Sequence, residues 1–325
     1  MRILLVVNSF ASSVTARNTV IVHRTLSRHH DVQLVETNRR GHATRFAQDA
    51  ARRGLDLVVA FGGDGTLNEV ATGVAGTPTG LGVLPGGSTN VFARTIGLPN
   101  DPVLAADLLV AGLSDPETNI RPIGLGRVNG RFFCFHTGVG YDAAVVRTVE
   151  SRASLKRWVG HPLFIYAALS TWLNGYDRRH PHFSVTVAGS AQDSVVNHDY
   201  DKSGPQSLSD GYFTIVLNTN PYTFLGNRPL NLSPLAGLDQ PLVVVTFRTM
   251  SALAIIGSLM GALRGNGVQP NDHVAIFDHV RDLVVEHPEP FPYQVDGDYL
   301  GESSRLHFEH VPNAVRLVLP PSTID

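Results

Sequence analysis

Cysteine is nearly absent from this sequence. Cys134 is the only cysteine in 325 residues, which excludes an intrachain disulfide and a cysteine-rich metal site. A chain without disulfides is typical of a reducing compartment, so we expect a cytoplasmic location. The fourteen histidines include no H-E-x-x-H motif. His29-His30, His180 with His182, and His307 with His310 lie among surface-like residues, and we predict that these are solvated.

An excess of charge of either sign is also lacking. Lysine and arginine number 26, aspartate and glutamate number 28, and the formal net charge is −2. A broad nucleic-acid interface requires a basic stripe, so we predict no nucleic-acid partner. The composition, with 43% hydrophobic and 17% charged residues, is typical of a globular chain with a buried core.

Long hydrophobic runs are missing as well. The N-terminal run at residues 3–7 has only five apolar residues before the polar Asn8, so we expect no signal peptide. The longest run elsewhere, residues 251–263, is interrupted by glycine and serine. A membrane-spanning helix needs about 20 residues. Any contact with a membrane is therefore expected to be peripheral.

The N-terminal part alternates short aliphatic runs with helical patterns. The spacing predicts helices at residues 19–26 and 43–52. Strands that alternate with helices indicate an α/β domain with a doubly wound, mostly parallel sheet, which we place at residues 1–115. Ligands bind such sheets at the carboxyl ends of the strands. The predicted buried parallel strands are residues 3–7, 32–35, 57–60 and 81–84.

The pattern changes after residue 115. Short, often alternating runs separated by turn residues predict an antiparallel β-rich, sandwich-like domain at residues 116–325. Its C-terminal tail is a candidate to pack back on the first domain. We predict helices near 163–173 and 252–263, and loops at 174–177 and 201–209. The predicted strands are 120–128, 131–137, 182–188, 212–219, 241–247, 282–287 and 315–319.

A glycine-rich string directly follows the third predicted strand and opens a helix. Glycines allow backbone N–H groups to approach phosphate oxygens, and a helix N-terminus favours an anion. Asp64 would be repelled by a phosphate unless it served a cation, and Mg²⁺ chelated by ATP suits oxygen ligands. Thr66 can cap the helix or offer its hydroxyl to a phosphate. The alternative is an ordinary strand-to-helix turn. The glycines are Gly62, Gly63 and Gly65.

A second glycine loop follows the next predicted strand. It contains Gly86, Gly87 and Ser88, and it precedes a predicted helix at residues 91–96. Two such loops on adjacent strands predict one cradle of the size of a phosphate group. The loops match neither the P-loop nor the dinucleotide-binding pattern, since they lack Gly-Lys-Ser/Thr and G-x-G-x-x-G.

The string at residues 62–70, followed by that at 85–94, resembles the bacterial diacylglycerol kinase family. That family groups with sphingosine and ceramide kinases and is more distantly related to NAD kinases and phosphofructokinases. The resemblance extends over nearly the whole chain, because three later strings follow in the family's order. They are Gly-Val-Gly-Tyr-Asp-Ala at 138–143, Ser-Asp-Gly-Tyr-Phe at 209–213 and Tyr-Gln-Val-Asp-Gly-Asp at 293–298.

The resemblance implies a kinase that transfers the γ-phosphate of ATP to a lipid hydroxyl, with diacylglycerol giving phosphatidic acid. It implies ATP and Mg²⁺ as cofactors, and a membrane lipid substrate met at the inner face of the bilayer. It also implies a structural magnesium bound by Asp210 and the carbonyls of Ser207 and Tyr212, although Ser-Asp-Gly also favours a plain β-turn. The implied nucleotide site comprises Asn8, Thr37, Gly62, Gly63, Asp64, Gly65, Thr66, Gly87 and Ser88, with Asp64 also a metal ligand and a catalytic residue.

Asp296 and Asp298 flank a glycine near the end of the chain. A lipid hydroxyl has a high pKa, so a carboxylate within reach helps to remove its proton. The resemblance assigns this catalytic role to Asp298, where relatives usually carry glutamate. We expect Asp296 to lie at a solvated hairpin tip.

Two further departures from the family keep other functions open. Val91 and Gly124 stand where relatives often have aspartate. A kinase for a soluble acceptor and a catalytically inactive lipid or nucleotide sensor therefore remain alternatives, and the oligomeric state, a homodimer included, is left open. The apolar segments 155–173, with Lys156-Arg157, and 251–263 are either core helices or walls of an acyl-chain cleft that touches the bilayer.

Overall fold

The computed structural model describes residues 1–151, 166–188 and 205–321. They form two compact units. The first unit comprises Met1–Leu125 and the segment from Pro312 onward, and the second comprises Gly126–Val311. The chain thus divides after Leu125, whereas the sequence pattern placed the division at residue 115.

The first unit is built on a parallel sheet with the strand order β2-β1-β3-β4-β16. Only the C-terminal end of β16 belongs to this sheet, where Arg316 and Leu317 pair with Gly80 and Leu81 of β4. The predicted α/β fold with a mostly parallel sheet is confirmed. Its strands are β1 (Arg2–Val7), β2 (Asp31–Glu36), β3 (Leu57–Gly62), β4 (Gly80–Pro85) and the end of β16 (Asp298–Val318).

Helices connect these strands, and capping side chains close to them in the sequence mark where two of the helices begin. Thr15 accepts a hydrogen bond from Asn18 N and caps the first helix, while Asp101 caps the fifth ahead of Pro102. The helices are α1 (Ala16–Ser27), α2 (His42–Arg52), α3 (Asp64–Val74), α4 (Val91–Thr95), α5 (Pro102–Leu113) and α6 (Pro116–Asn119).

The burial of each strand follows its place in the sheet. All residues of β3 and β4 are buried, as expected for continuous apolar runs at the centre of a parallel sheet. The prediction that residues 32–35 form a buried strand was wrong in one respect. They do form β2, but this strand pairs with β1 at the edge and no residue of it is buried.

The second unit is an antiparallel β structure with the strand path β14-β13-β10-β7-β15-β16. The strand β15 also pairs with β8 through its first half, and β8 pairs with β9. The prediction of an antiparallel β-rich second part is confirmed. The remaining strands are β5 (Ile120–Val128), β6 (Arg131–Phe133), β7 (His136–Gly140), β8 (Phe183–Val187), β9 (Gln206–Gly211), β10 (Phe213–Leu217), β11 (Thr223–Leu225), β12 (Arg228–Leu230), β13 (Leu242–Phe247), β14 (Val274–Val280) and β15 (Asp282–Val295).

The helical segments of this unit within the described residues are α7 (Tyr141–Glu150), a helical stretch at 166–170 that continues into a π-helical turn (Thr171–Gly175), and α8 (Ala252–Leu263). No helix within the described residues is long and apolar enough to cross a membrane.

The predicted loop at 201–209 was wrong over residues 206–209, which belong to β9. Only Leu208 and Gly211 of this strand are buried. Its sequence therefore lacks the alternation of apolar and polar residues that indicates a strand. Residues 201–204 and the stretch 152–165, with Lys156-Arg157, lie outside the described residues.

A two-residue turn joins β15 to β16. Val295 pairs with Asp298, and the turn residues Asp296 and Gly297 have φ angles of +48° and +81°. This Asp-Gly turn with two positive φ angles is the type that suits the twist of a hairpin. The expected solvation of Asp296 was wrong, since the residue is only 5% exposed. Its carboxylate accepts hydrogen bonds from the backbone amides of Cys134 (2.7 Å), Phe135 (3.0 Å) and His136 (3.1 Å).

Asp296→Asn is predicted to destabilise the second unit. The new amide group would face backbone donors, and an unsatisfied buried donor costs about 1–3 kcal/mol. Urea unfolding measures the change in the free energy of unfolding, and Asp272→Asn, an exposed position in the same unit, is the control. Equal unfolding midpoints for the two variants would show that the three amides do not depend on this carboxylate.

Candidate phosphate-binding site

Three loops are joined by hydrogen bonds at the carboxyl ends of β1, β3 and β4. Gly86 N donates to Gly62 O at 2.8 Å, and Ser13 N donates to Gly86 O at 2.8 Å. Ser13 Oγ also donates to Gly87 O at 3.3 Å. These strands are neighbours in the sheet, so the loop after β1 and the two glycine loops form one continuous backbone surface. The structure thus brings the two predicted glycine loops together.

The glycines are required where the two loops touch. A Cβ on Gly86 would lie 2.7 Å from Gly62 Cα, and a Cβ on Gly87 would lie 2.8 Å from Gly63 Cα. A Cβ on Gly62 would meet Thr66 Oγ1 at 2.6 Å. Separations below 3.0 Å force the surroundings to shift. A side chain at Gly86 or Gly87 would push the loops apart, and one at Gly62 would press on the first turn of α3.

Two predicted nucleotide-site side chains meet beside these loops. Asn8 Nδ2 donates to Thr66 Oγ1 at 3.0 Å, and Asn8 Oδ1 accepts from Phe10 N. Thr66 is nearly buried, in the first turn of α3. Thr37 follows β2, and its backbone N–H donates to Val7 O. Asn8 and Thr37 therefore follow two adjacent strands, β1 and β2, and lie at the same edge of the sheet.

Asp64 links the two glycine loops electrostatically. It is the first residue of α3, and its carboxylate accepts hydrogen bonds from Val91 N (3.0 Å) and Phe92 N (3.2 Å), the first amides of α4. A carboxylate is favourable beside the exposed N–H groups of a helix start. The sequence did not predict this contact, because it depends on which loops are neighbours. Gly65 follows Asp64 in α3, and Ser88 is exposed in the second loop.

Sequence reasoning missed two further residues of this region. Asn90 has a φ of +49°, and its side chain accepts from Gly87 N and donates to Gly87 O, which closes the second loop on itself. Glu69 accepts from Gly41 N (2.7 Å) and Ala43 N (3.0 Å) and so caps α2 from α3. Gly41 is the N-cap residue of α2 and has no side chain that could cap the helix, so the sequence indicated only that another residue must supply the cap.

The residues of the predicted structural magnesium site have other partners. Arg248 donates to both oxygens of Asp210 at 2.9 and 3.0 Å, and its guanidinium completes an ion pair at 2.8 Å. The carbonyl of Tyr212 accepts from the hydroxyl of Tyr176, and Ser207 pairs with Thr186 in the sheet. Among the described residues, no group of three or more acidic, histidine or cysteine side chains could hold a metal. A guanidinium therefore lies against the Asp210 carboxylate, and the structural magnesium stays a prediction.

A buried polar cluster lies in the second unit. Asp142 accepts hydrogen bonds from Tyr222 Oη and from Gln294 Nε2 (2.9 Å). Burial raises the pKa of the Asp142 carboxyl, and these two hydrogen bonds oppose the rise. Burial and the nearby Asp142 carboxylate raise the pKa of Tyr222 well above its usual range. A Cβ on Gly138 would overlap Asp142 Oδ2, which explains the glycine at this position.

His136 packs against the same cluster, with its ring centroid 4.3 Å from that of Tyr222. Burial lowers the pKa of His136 to about 3, so its imidazole is neutral at physiological pH. Its Nδ1 has no hydrogen-bond partner among the described residues. The sequence motif at 138–143 gave no indication that Asp142 is buried.

Asp298 occupies the first position of β16 and is partly exposed, in contrast to the buried Asp296. The two carboxylates that flank the same glycine thus lie in different environments. The side chain of Asp296 is directed inward to three backbone amides, while that of Asp298 keeps access to solvent.

The first unit is an α/β domain whose glycine loops meet at the carboxyl edge of a parallel sheet, the edge at which such sheets bind ligands. A family model described as "Diacylglycerol kinase catalytic domain" matches residues 2–120. The protein named "Diacylglycerol kinase" from Bacillus subtilis (strain 168) is 32% identical over 266 residues, covering 80% of this chain and 77% of that protein. "Probable lipid kinase YegS-like" from Pseudomonas aeruginosa (strain UCBPP-PA14) is 30% identical over 284 residues, 86% of this chain and 82% of that protein.

The fold has a counterpart among solved structures. A crystal structure described as a diacylglycerol kinase from Bacillus anthracis str. Sterne superposes with a TM-score of 0.72 at 22% identity, covering 99% of this chain and 98% of that one. The chain belongs to the diacylglycerol kinase family and is a lipid kinase.

Gly86→Ala is predicted to destabilise the first unit by about 1–3 kcal/mol, the usual effect of overpacking, because its Cβ would collide with the Gly62 backbone. Gly63→Ala is the matched control. Its Cβ would lie 3.5 Å from Gly87 Cα, an ordinary contact, at a backbone φ of −81° that alanine adopts. Denaturant unfolding should place Gly63→Ala within about 0.5 kcal/mol of the wild type. Equal effects of the two substitutions would contradict the close approach.

Proposed function

We propose that this protein transfers the γ-phosphate of ATP to the hydroxyl of a membrane lipid, and that diacylglycerol is the acceptor. The observation that carries the proposal is the cradle of two glycine loops joined by the Gly86–Gly62 hydrogen bond. Its backbone groups suit a polyphosphate, and the relatives named diacylglycerol kinase support the choice of acceptor.

ATP is proposed to bind at the carboxyl edge of the first unit's sheet. The glycine loops would cradle its phosphates, with Asn8, Thr66 and Ser88 beside them. A carboxylate offers about four acceptor positions, so an oxygen of Asp64 can serve a cation as well as an amide. Mg²⁺ chelated by ATP would supply charge neutralisation at the β- and γ-phosphates.

In the proposed reaction the lipid hydroxyl oxygen forms a bond to the γ-phosphorus. The bond from that phosphorus to the β–γ bridging oxygen breaks, and ADP leaves. The hydroxyl proton passes to a carboxylate, for which we propose Asp298. With diacylglycerol as acceptor the product is phosphatidic acid. The protein is proposed to reach its acceptor as a peripheral protein at the cytoplasmic face of the membrane.

The first test is an assay of the pure protein with γ-labelled ATP, Mg²⁺ and diacylglycerol in mixed micelles. We expect labelled phosphatidic acid, and we expect Asp64→Asn to lower turnover roughly a hundredfold or more, the usual effect of losing a charge-stabilising group. Asp107→Asn, an exposed position on α5, should retain wild-type turnover. Label in a soluble product would indicate a soluble acceptor, and no label would indicate a sensor.

The second test concerns the base. Asp298→Asn should lower turnover by roughly 10²–10⁴, the range for general acid–base catalysis, while the KM for ATP stays unchanged because the glycine loops are intact. Asp298→Glu should retain part of the activity. If Asp296→Asn abolishes turnover while its unfolding midpoint stays at the wild-type value, the base is Asp296 and the assignment to Asp298 is wrong.

A further inference from the structure

The helix α8 is unusually apolar. Its sequence, Ala-Leu-Ala-Ile-Ile-Gly-Ser-Leu-Met-Gly-Ala-Leu, contains no charged residue, and Ser258 is its one polar side chain. A helix that is hydrophobic all round is normally buried in a protein core or in a membrane.

One face of α8 does pack against the second unit. Ala262 is buried in a cluster with residues of β10, β13 and β14, and Ile255 and Leu263 pack on the same cluster. The opposite face is open. Leu253 is 84% exposed and Ile256 is 56% exposed, and Leu259 and Met260 are also exposed. Contiguous exposed apolar side chains of this kind mark an interaction surface.

Two exposed arginines lie near this helix. Between residues 221 and 272 the chain has three arginines and two acidic residues, Asp239 and Asp272, and Asp272 lines the same groove as Leu253. Arg264 is the C-cap residue of α8, and Arg228 lies on β12, which contacts the helix. Both arginines are exposed. An apolar face with cations at its rim is complementary to a bilayer that carries anionic headgroups.

The chemistry of the exposed face favours lipid over a protein partner. The side chains are aliphatic or thioether groups, with no aromatic ring and no hydrogen-bonding group among them. Specific protein interfaces are enriched in tyrosine, tryptophan and arginine at their centres and use hydrogen bonds to fix orientation. A fluid hydrocarbon phase requires neither.

We propose that α8 docks the protein on the membrane, with Leu253, Ile256 and Met260 inserted at the boundary between headgroups and acyl chains and with Arg228 and Arg264 against anionic lipid phosphates. This inference rests on the proposed function, since a bilayer lipid as acceptor requires the enzyme to work at that surface. It goes further by assigning the contact to one helix face.

The test is sedimentation with vesicles of phosphatidylcholine alone and of equal parts phosphatidylcholine and phosphatidylglycerol. Leu253→Gln combined with Ile256→Gln should weaken binding to the mixed vesicles roughly tenfold, equivalent to about 1.4 kcal/mol. The control is Leu104→Gln, at a 57% exposed leucine on α5 of the first unit, which should bind like the wild type. Arg264→Gln should reduce the gain from phosphatidylglycerol, and high salt should reduce it for the wild type.

Sedimentation needs neither ATP nor an acceptor, so it is independent of the proposed reaction. If the kinase assay gives product, the double variant should lose turnover on vesicles and keep it on detergent micelles. Absence of vesicle binding by the wild type, or equal binding by the wild type and the double variant, would overturn the proposal. A double variant that changes the oligomeric mass in ultracentrifugation without changing vesicle binding would also overturn it and assign α8 to contact between copies.

Discussion

The hydrogen bond from Gly86 N to Gly62 O is the contact on which the proposed active site depends. It holds the two loop backbones so close that a Cβ on Gly86 or Gly87 would collide with the first glycine loop. Asp64 can reach the amides of Val91 and Phe92 only because the loops are this close. Separating the loops would therefore remove the cradle and the carboxylate's position together.

Much of the first unit could be predicted from the sequence, because its signals are local. Continuous apolar runs indicate strands buried on both faces, and β3 and β4 are fully buried. The edge position of β2 could not be predicted, since the position of a strand in a sheet depends on residues far away in the chain. The same reason explains why the contact of Glu69 with Gly41 and Ala43 was missed.

The contacts of three aspartates in the second unit could not be predicted from their sequence motifs. The Asp-Gly pair at 296–297 indicates a hairpin turn, but the inward direction of the Asp296 side chain depends on amides at 134–136. The string around Asp210 is compatible with a metal ligand, and it gave no indication of the ion pair with Arg248. The burial of Asp142 likewise depends on Tyr222 and Gln294.

The strand β16 contributes residues to both units, and this affects synthesis of the chain. The edge of β4 is paired by Arg316 and Leu317, which are translated after the whole second unit. Until those residues leave the ribosome, the nascent first unit presents an unpaired strand edge with a continuous apolar sequence. Such edges are templates for association with other chains. The nascent polypeptide therefore carries an aggregation hazard at β4 while the second unit is being made, and the pairing of Arg316 and Leu317 removes it.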